Sequence, residues 1–538
     1  MRILLVLCSF VFSCQGQLKF LVEDFEGFHK SDRDLGKTGF FTFGGLTQEI
    51  SSDNCTNADY SGARCLKISK NGKGDFGGWG RGISLNIELD QRYDHFNFYV
   101  FSEKKNGNVT FRIELQEDDN EDGVYNADHD DSWVTSVTIE AQGGWQLVSI
   151  PLSKFHDANK AGDSGFNISY HHGKLSVILF SLENAKSVKS GATWYFDFIS
   201  FSKGALPHGA GIFDAPPAGA DDFAALGAWS GEGNSANFAD IASSFENNFS
   251  ANKKLGVVHF FQSFSVQKDA SQFHYPSVER INKVIRAGYI PMITLEDHFV
   301  NTDPKTVQPN LYSLVEGHFD SFLGYWAHQI KDVEGTVLLR ILHEFNGDWY
   351  PWCTVKNDNN PYLVAKAFRY IVNIFRENNV TNVKFIWCPN SMSVPQASWN
   401  FIMDAYPGDD YVDLVALDVY NGAGNGDGVD IWRTFRKEGI ENYFILTDRL
   451  PHKPMLICET ASRERRMGEG GQNKAQWIYE MSRAVQTDMS KIRLLAWFDE
   501  KQSFKVSSSE EAKKAFNEAV MRSPFFKIGK RELEELLR

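Results

Sequence analysis

The sequence predicts an antiparallel β-sandwich of the jelly-roll type followed by a (β/α)8 barrel. Three observations predict it. The chain has 538 residues, too many for one ordinary core. Up to residue 201 the hydrophobic pattern is short and alternating. After residue 219, buried runs alternate with helical stretches.

In the first half, Cys65-Leu66-Lys67-Ile68-Ser69, Phe96-Asn97-Phe98-Tyr99-Val100-Phe101, Val109-Thr110-Phe111-Arg112-Ile113-Glu114-Leu115 and Trp194-Tyr195-Phe196-Asp197-Phe198 have period two. Gly, Asn and Asp clusters separate these runs, as in a sandwich. The sandwich is assigned to 18–203. The stretch 202–219, with Gly204, Pro207, Gly209 and Pro216-Pro217, is the connection. Eight strand candidates follow, at 211–213, 255–261, 289–295, 336–342, 383–387, 412–419, 454–457 and 492–497. Helical patterns fall between them, at 278–287, 311–330, 362–378 and 474–485. Eight such units spell a barrel over 204–525, with a helical tail at 526–538. A doubly wound open sheet is the competing arrangement, but no Gly-rich phosphate loop follows any strand.

The N-terminus has the form of a secretory signal over 1–17. Arg2 is a basic start, 3–12 is apolar, and cleavage is expected near Gly16. Secretion is the expectation. A lipid anchor at Cys14 is the alternative, for which Val11-Phe12-Ser13 is a poor match. Beyond the signal lie Cys55, Cys65, Cys353, Cys388 and Cys458. Cys55 and Cys65 are close enough to pair, the other three are odd in number, and none has zinc-ligand spacing. N-x-Ser/Thr sequons stand at Asn54, Asn108, Asn167, Asn248 and Asn379. The net charge of −14 argues against a nucleic-acid or anionic-membrane partner. No later apolar run is long enough to span a bilayer. A monomer is expected.

Aromatics are 14% of the chain, which fits sugar platforms and equally fits Phe-rich cores. The chemistry sits at two strand ends. The fourth strand runs into His343-Glu344 and the seventh into Glu459-Thr460. In a barrel, catalytic groups stand where strands give way to loops. A buried carboxylate is costly without a partner, so two converging on one mouth suggest a dyad. Glycosidic hydrolysis needs such a pair: one acid for the leaving oxygen and one carboxylate for the anomeric carbon.

Arg340, His343-Glu344, Asn346-Gly347 and Trp349-Tyr350-Pro351-Trp352 resemble the acid/base region of glycoside hydrolase family 26. So do Ile386-Trp387-Cys388-Pro389-Asn390, Tyr406-Pro407-Gly408, Asp418-Val419-Tyr420-Asn421, Lys453-Pro454 before Glu459, and Lys474-Ala475 with Trp477. The resemblance covers roughly 206–525. It implies a retaining polysaccharide hydrolase with Glu344 as acid/base and Glu459 as nucleophile. It further implies that His343 contacts sugar, that Tyr420 hydrogen-bonds Glu459, and that Arg340 favours ionised carboxylate. Structural alternatives are an orienting His343, a packing Tyr420 and a purely structural Arg340 ion pair. Trp349, Trp352 and Trp497 are the candidate sugar platforms, with Asn346, His298, Trp387 and Asn390 as further site candidates.

The family's commonest activity makes endo-1,4-β-mannanase the leading expectation. Mixed-linkage β-1,3-1,4-glucanase comes second, and β-1,3-xylan is less favoured. A non-catalytic glycan-binding barrel is the reading from another class, but both carboxylates are present. The first half is similar to carbohydrate-binding modules, with Trp79 and Trp133 as platform candidates or core. No cofactor is expected. The acidic runs Glu117-Asp118-Asp119 and Asp128-His129-Asp130-Asp131 could hold structural calcium or be solvated loops.

Overall fold

The structure, a computed structural model, describes residues 16–28, 35–55, 62–72, 74–206, 223–230, 239–249, 253–264, 277–299, 310–422, 432–465, 471–500 and 502–526. Twelve strands precede residue 204: β1 (Gln17–Glu23), β2 (Phe40–Phe43), β3 (Leu46–Ser51), β4 (Cys65–Lys70), β5 (Gly78–Leu85), β6 (Asp94–Ser102), β7 (Val109–Asp118), β8 (Ser132–Ile139), β9 (Trp145–Pro151), β10 (His156–Asp157), β11 (Lys174–Leu182) and β12 (Thr193–Lys203). They form two six-stranded sheets. One runs β3-β4-β12-β6-β9 with β1 also on β12, and the other runs β10-β8-β7-β11-β5-β2. Their inner faces meet in an aromatic core in which Trp79 stacks on Phe180 at 4.4 Å between ring centroids. Cys55 and Cys65 form the disulfide expected of them, while Cys353, Cys388 and Cys458 are free and buried.

The barrel closes in sequence order through β13 (Ala225–Trp229), β14 (Val257–Phe264), β15 (Ile290–Phe299), β16 (Val337–Ile341), β17 (Val383–Trp387), β18 (Leu414–Asn421), β19 (Met455–Ser462) and β20 (Ile492–Phe498). Its first strand is not the run at 211–213, which lies outside the described residues. Ala225–Trp229 takes that place by pairing in parallel with β14 and β20. A five-residue run of small and apolar side chains was easily overlooked. Residues 1–15 and 527–538 also lie outside the described residues, and with them most of the expected signal and tail.

Around the barrel lie α1 (Ala239–Glu246), α2 (Val278–Arg286), α3 (Leu311–Val315), α4 (Asp320–Ile330), α5 (Pro361–Glu377), α6 (Phe435–Arg449), α7 (Lys474–Gln486) and α8 (Glu510–Phe516). α5 shows why they form. Pro361 opens it, and Val364, Phe368, Ile371, Val372 and Phe375 recur at helical spacing on its buried face. The single helix expected over 311–330 is two. Gly317, at φ +84°, breaks it where a side chain would be strained.

The sandwich is fastened to the barrel through β1 and α6. Thr434 caps α6 by accepting from the Lys437 N–H, and its hydroxyl donates to Asp24 at 2.6 Å. Glu23 takes Lys437 and Arg81, each at 2.6 Å. Tyr170 stacks on Phe401 at 4.2 Å and donates to Glu441. Burial alone would raise the Glu23 carboxyl, but the two cations outweigh it and bring its pKa to about 2. Because the folded pKa is depressed, this stabilisation is present above the ordinary glutamate pKa and is lost as pH falls toward 2. Lys437→Met should therefore cost about 3 kcal/mol at neutral pH, the low end for breaking a buried pair because the lysine keeps some solvent. The cost should shrink at pH 3, where protonation can neutralise the abandoned glutamate. Urea denaturation at both pH values measures it.

Candidate active site

Strand parity builds the site. Inside the barrel, Ala225, Val257, Ile290, Met292, Leu338, Ile386, Leu414, Ala416, Leu456, Leu494 and Ala496 fill the lower lumen. Two residues on from several of these, the side chains turn polar. His259, Thr294, Arg340 and Asp418 are each essentially fully buried. His259 and Thr294 share a hydrogen bond of 2.8 Å, and the Arg340 Nε–H donates to the Thr294 hydroxyl at 2.8 Å. One guanidinium nitrogen reaches Asp418 at 2.5 Å, and the other reaches Glu459. Burial works against charge on Arg340, but Asp418 and Glu459 outweigh it and hold its pKa above the ordinary value. Burial and the neighbouring Arg340 charge push His259 well below its usual range, so it is neutral.

Glu459 reaches this network through a break in register. Leu417 pairs with Ile457, but Asp418 pairs with Glu459, so β19 carries one extra residue at Cys458. Without that bulge, alternation would turn Glu459 outward when Cys458 faces the lumen. With it, Glu459 accepts from Arg340 on one oxygen and from the Tyr420 hydroxyl at 2.5 Å on the other.

Glu344 arrives differently. β16 ends at Ile341, and both Leu342 and Glu344 have left-handed backbone, φ 49° and 53°. Such conformations are uncommon away from glycine and cluster at functional sites. The Glu344 N–H donates to the Cys388 carbonyl at 2.8 Å, pinning the turn to the end of β17. Its carboxylate accepts from the Trp349 indole at 2.7 Å. Gly347 makes this possible, since a Cβ there would collide with the indole. Burial first, and then the charge of Glu459, push the Glu344 carboxyl up to about 8. The two carboxylates thus sense each other while standing on elements 115 residues apart in sequence (459 minus 344).

Other expected site residues divide. Tyr420 and Arg340 are in place. His343 is buried against Tyr350 and Trp352, with ring centroids at 4.7 and 5.4 Å. Trp349 is half-buried over Glu344. Trp352, Trp387 and Trp497 are not open platforms: each is only 1% exposed. Trp352 donates to the His343 carbonyl, and Trp387 stacks on Phe345. Trp497 packs against Trp477 and Phe516 on the helix side of β20. The parity of β20 gives the mouth to Phe498 instead. Asn346 is buried, and its amide joins two loops by bonding the Asn390 carbonyl, the Ser393 hydroxyl and the Asn390 N–H. It braces the turn after β16, and both ends of its amide are occupied within the protein. Asn390 is the other half of that clamp. The His298 side chain lies outside the described residues.

The sequence motifs gave no site role to Glu296, Trp229, Phe261 and Phe498, and included Asp418 only as part of the sixth-strand resemblance. Phe261, Phe498 and Tyr420 form an edge-to-face series at 6.2 and 5.8 Å, and Trp229 joins Phe261 at 5.3 Å. All share inward parity with the lumen residues below them, the signal that would have found them. Burial and the nearby Glu459 charge push Glu296, which accepts from the Ser263 hydroxyl, up to about 7. On the sandwich, Trp79 and Trp133 are buried, so neither is a platform. The exposed rings among the described residues include Phe41, Phe76 and Tyr93, with Phe43 stacked on Phe76 at 6.2 Å. Phe41 and Phe43 lie across Gly80 and Gly78, where side chains would collide with them.

An eight-stranded closed barrel with one carboxylate in the upper half of β19 and one in the turn after β16 has the build of a glycoside hydrolase domain. Comparison with known proteins makes this specific. The profile of Glycosyl hydrolase family 26 matches residues 298–440, and that of Carbohydrate binding domain 30 matches 26–203. Over those residues the chain is similar to a family 26 glycosyl hydrolase domain behind a family 30 carbohydrate-binding domain. It is 32% identical over 274 residues to Endoglucanase H of Acetivibrio thermocellus, an alignment covering 50% of this chain and 28% of that protein. It is 32% identical over 127 residues to a mannan endo-1,4-beta-mannosidase of Bacillus subtilis, covering 22% and 31%. The chain thus spans less than a third of the length of either relative. Among solved structures, the catalytic domain of a Bacillus sp. JAMB-750 endo-beta-1,4-mannanase is 17% identical, with a TM-score of 0.43 and coverage of 59% and 89%. No helix among the described residues is long and apolar enough to cross a membrane.

Arg340→Met would leave Asp418 and Glu459 buried beside no cation. A loss of about 3–5 kcal/mol in folding stability is expected, the range for removing one partner of a buried ion pair. Adding Asp418→Asn should recover part of it. A denaturation double-mutant cycle reads the coupling.

Proposed function

We propose that the chain is a secreted, retaining endo-glycosidase acting on a β-1,4-linked polysaccharide. One observation carries the mechanistic reading: two carboxylates sense each other in one buried site but have opposite surroundings. Glu459 accepts from the Arg340 guanidinium on one oxygen and from the Tyr420 hydroxyl on the other. Among the described residues Glu344 forms no ion pair; it has one indole donor and a pKa pushed to about 8 by burial and the Glu459 charge. That is the division double displacement requires. Glu344 protonates the leaving oxygen while Glu459 attacks the anomeric carbon. Glu344, now ionised, then takes a proton from the water that releases the sugar. Phe261, Phe498 and Trp349 offer ring surface beside the pair for sugar faces.

β-1,4-Mannan is the substrate we put first, in keeping with the relatives named as mannan endo-1,4-beta-mannosidases. The 274-residue match to Endoglucanase H favours a second reading, a mixed-linkage or β-1,4-glucan. For the sandwich we propose glycan binding at Phe41, Phe43 and Phe76. Secretion rests on the apolar N-terminus, and the Cys55–Cys65 disulfide agrees with it.

Reducing-sugar release from mannan, galactomannan, barley β-glucan and β-1,3-xylan tests the reading, with mannan expected first. Glu344→Ala should lose turnover on polymer by about 10²-fold or more. It should keep much of its rate on an aryl glycoside whose leaving group needs no acid. Glu459→Ala should lose both. Equal losses in the two variants on the aryl glycoside would overturn the roles.

The pH profile supplies a second prediction. Glu344 works protonated, so kcat/KM should fall as pH rises through about 8. The Trp349 hydrogen bond lowers that pKa, so Trp349→Phe should move the alkaline limb upward.

A further inference from the structure

We propose that Glu117, Asp119 and Asp131 of the sandwich form a binding site for a hard divalent cation, calcium in preference to magnesium. Glu117 lies on β7, Asp119 follows its end, and Asp131 precedes β8. One carboxylate oxygen from each can be chosen so that all lie within 4.8 Å of one another. The surrounding acids show what is unusual here. Asp118 accepts from the Asp122 and Gly123 N–H groups, Asp130 from those of Asp119 and Asn126, Asp157 from those of Asn159 and Lys160, and Asp163 from that of Gly165. Those four hold their own loops. Asp131 does not: it is fully buried, neither of its oxygens completes a hydrogen bond of good geometry, and only the Ser164 backbone N–H lies close enough to favour its charge. The buried Asp119 Oδ1 is likewise without a partner, as is Oδ1 of Asn167.

No ion pair among the described residues involves Glu117, Asp119 or Asp131. The side-chain charges acting on them are those of other carboxylates, Asp163 and Asp157 included. Converging buried anions repel strongly at low dielectric, and a cation removes the repulsion. The backbone at Gly162 is folded directly onto the group. A Cβ there would collide with Asp119 Oδ2 and meet Asp131 Cγ at 2.8 Å, so the close approach, at a φ of +55°, calls for glycine. The cation would therefore tie together the end of β7, the return to β8 and the loop before β11. The donors are all oxygens, and two of the three stand on loops, which departs from the usual zinc set and suits calcium's adaptable shell better than magnesium's strict octahedron.

Trp133 provides a reporter, since its indole N–H donates to Glu117 at 3.0 Å. In chelator-treated full-length protein, indole excitation should give terbium luminescence that calcium displaces. Calcium should raise the melting temperature, and magnesium at the same concentration should do so less. Asp131→Asn should weaken calcium binding by at least about tenfold and abolish the calcium-induced shift. It should melt no lower than the parent without metal, because it removes one of three repelling charges. Trp133→Phe should lose the luminescence but keep the shift, which secures the result even if Asp131→Asn folds poorly. No displaceable luminescence with no calcium-induced shift, or an equal shift in Asp131→Asn, would overturn the site. An equal response to magnesium would overturn the preference.

Discussion

The site hangs on one guanidinium. Arg340 is fully buried on β16 and holds Asp418 of β18 and Glu459 of β19. It spans the barrel interior and fixes how much negative charge the mouth can carry. Arg340 is paired with Glu459 but only tempers Glu344 from a distance, so burial and the Glu459 charge drive Glu344 up. The asymmetry of the pair therefore comes from beneath it, from a residue that need not touch a substrate. Arginine suits the post because its planar fork can serve both acids and Thr294 together and does not lose its proton.

Around that charge the barrel uses its alternation economically. Inward residues are apolar low in the lumen, polar and ionic in the next layer, and aromatic at the mouth. The change from one layer to the next is a step of two residues along each strand. Where that parity would fail, a local irregularity corrects it: a bulge at Cys458 turns Glu459 inward, and a left-handed turn after β16 presents Glu344. The loops that carry Trp349 and Asn346 are then locked to the next loop through Asn390 and Ser393.

Much of this was legible in the residues. Val383–Trp387 matches the strand read from the sequence, and seven of the eight barrel strands lie on the runs assigned to them, because each is a buried apolar run with helical spacing after it. The eighth, Ala225–Trp229, was missed since Ala-Leu-Gly-Ala-Trp has little β-branched character. Glu344 and Glu459 were legible as acids after apolar strands. The tryptophans misled, because a large ring near a catalytic strand can face either way. Trp497 and Phe498 are neighbours on opposite faces of β20, and only the register tells them apart. The bulge that aims Glu459 is a pairing between two strands, so neither strand's own sequence displays it. In the sandwich, aromatic richness served the core through Trp79, Phe180 and Phe196, leaving phenylalanines at the surface.

The central claim is that Glu459, held in place by Arg340 and Tyr420, is the group that bonds to sugar. Incubation with an activated 2-deoxy-2-fluoro glycoside, followed by peptide mass mapping, tests it most directly. A covalent glycosyl adduct on the peptide containing Glu459 is the predicted result. An adduct on Glu344 or Glu296, or product of inverted anomeric configuration with no adduct at all, would contradict it.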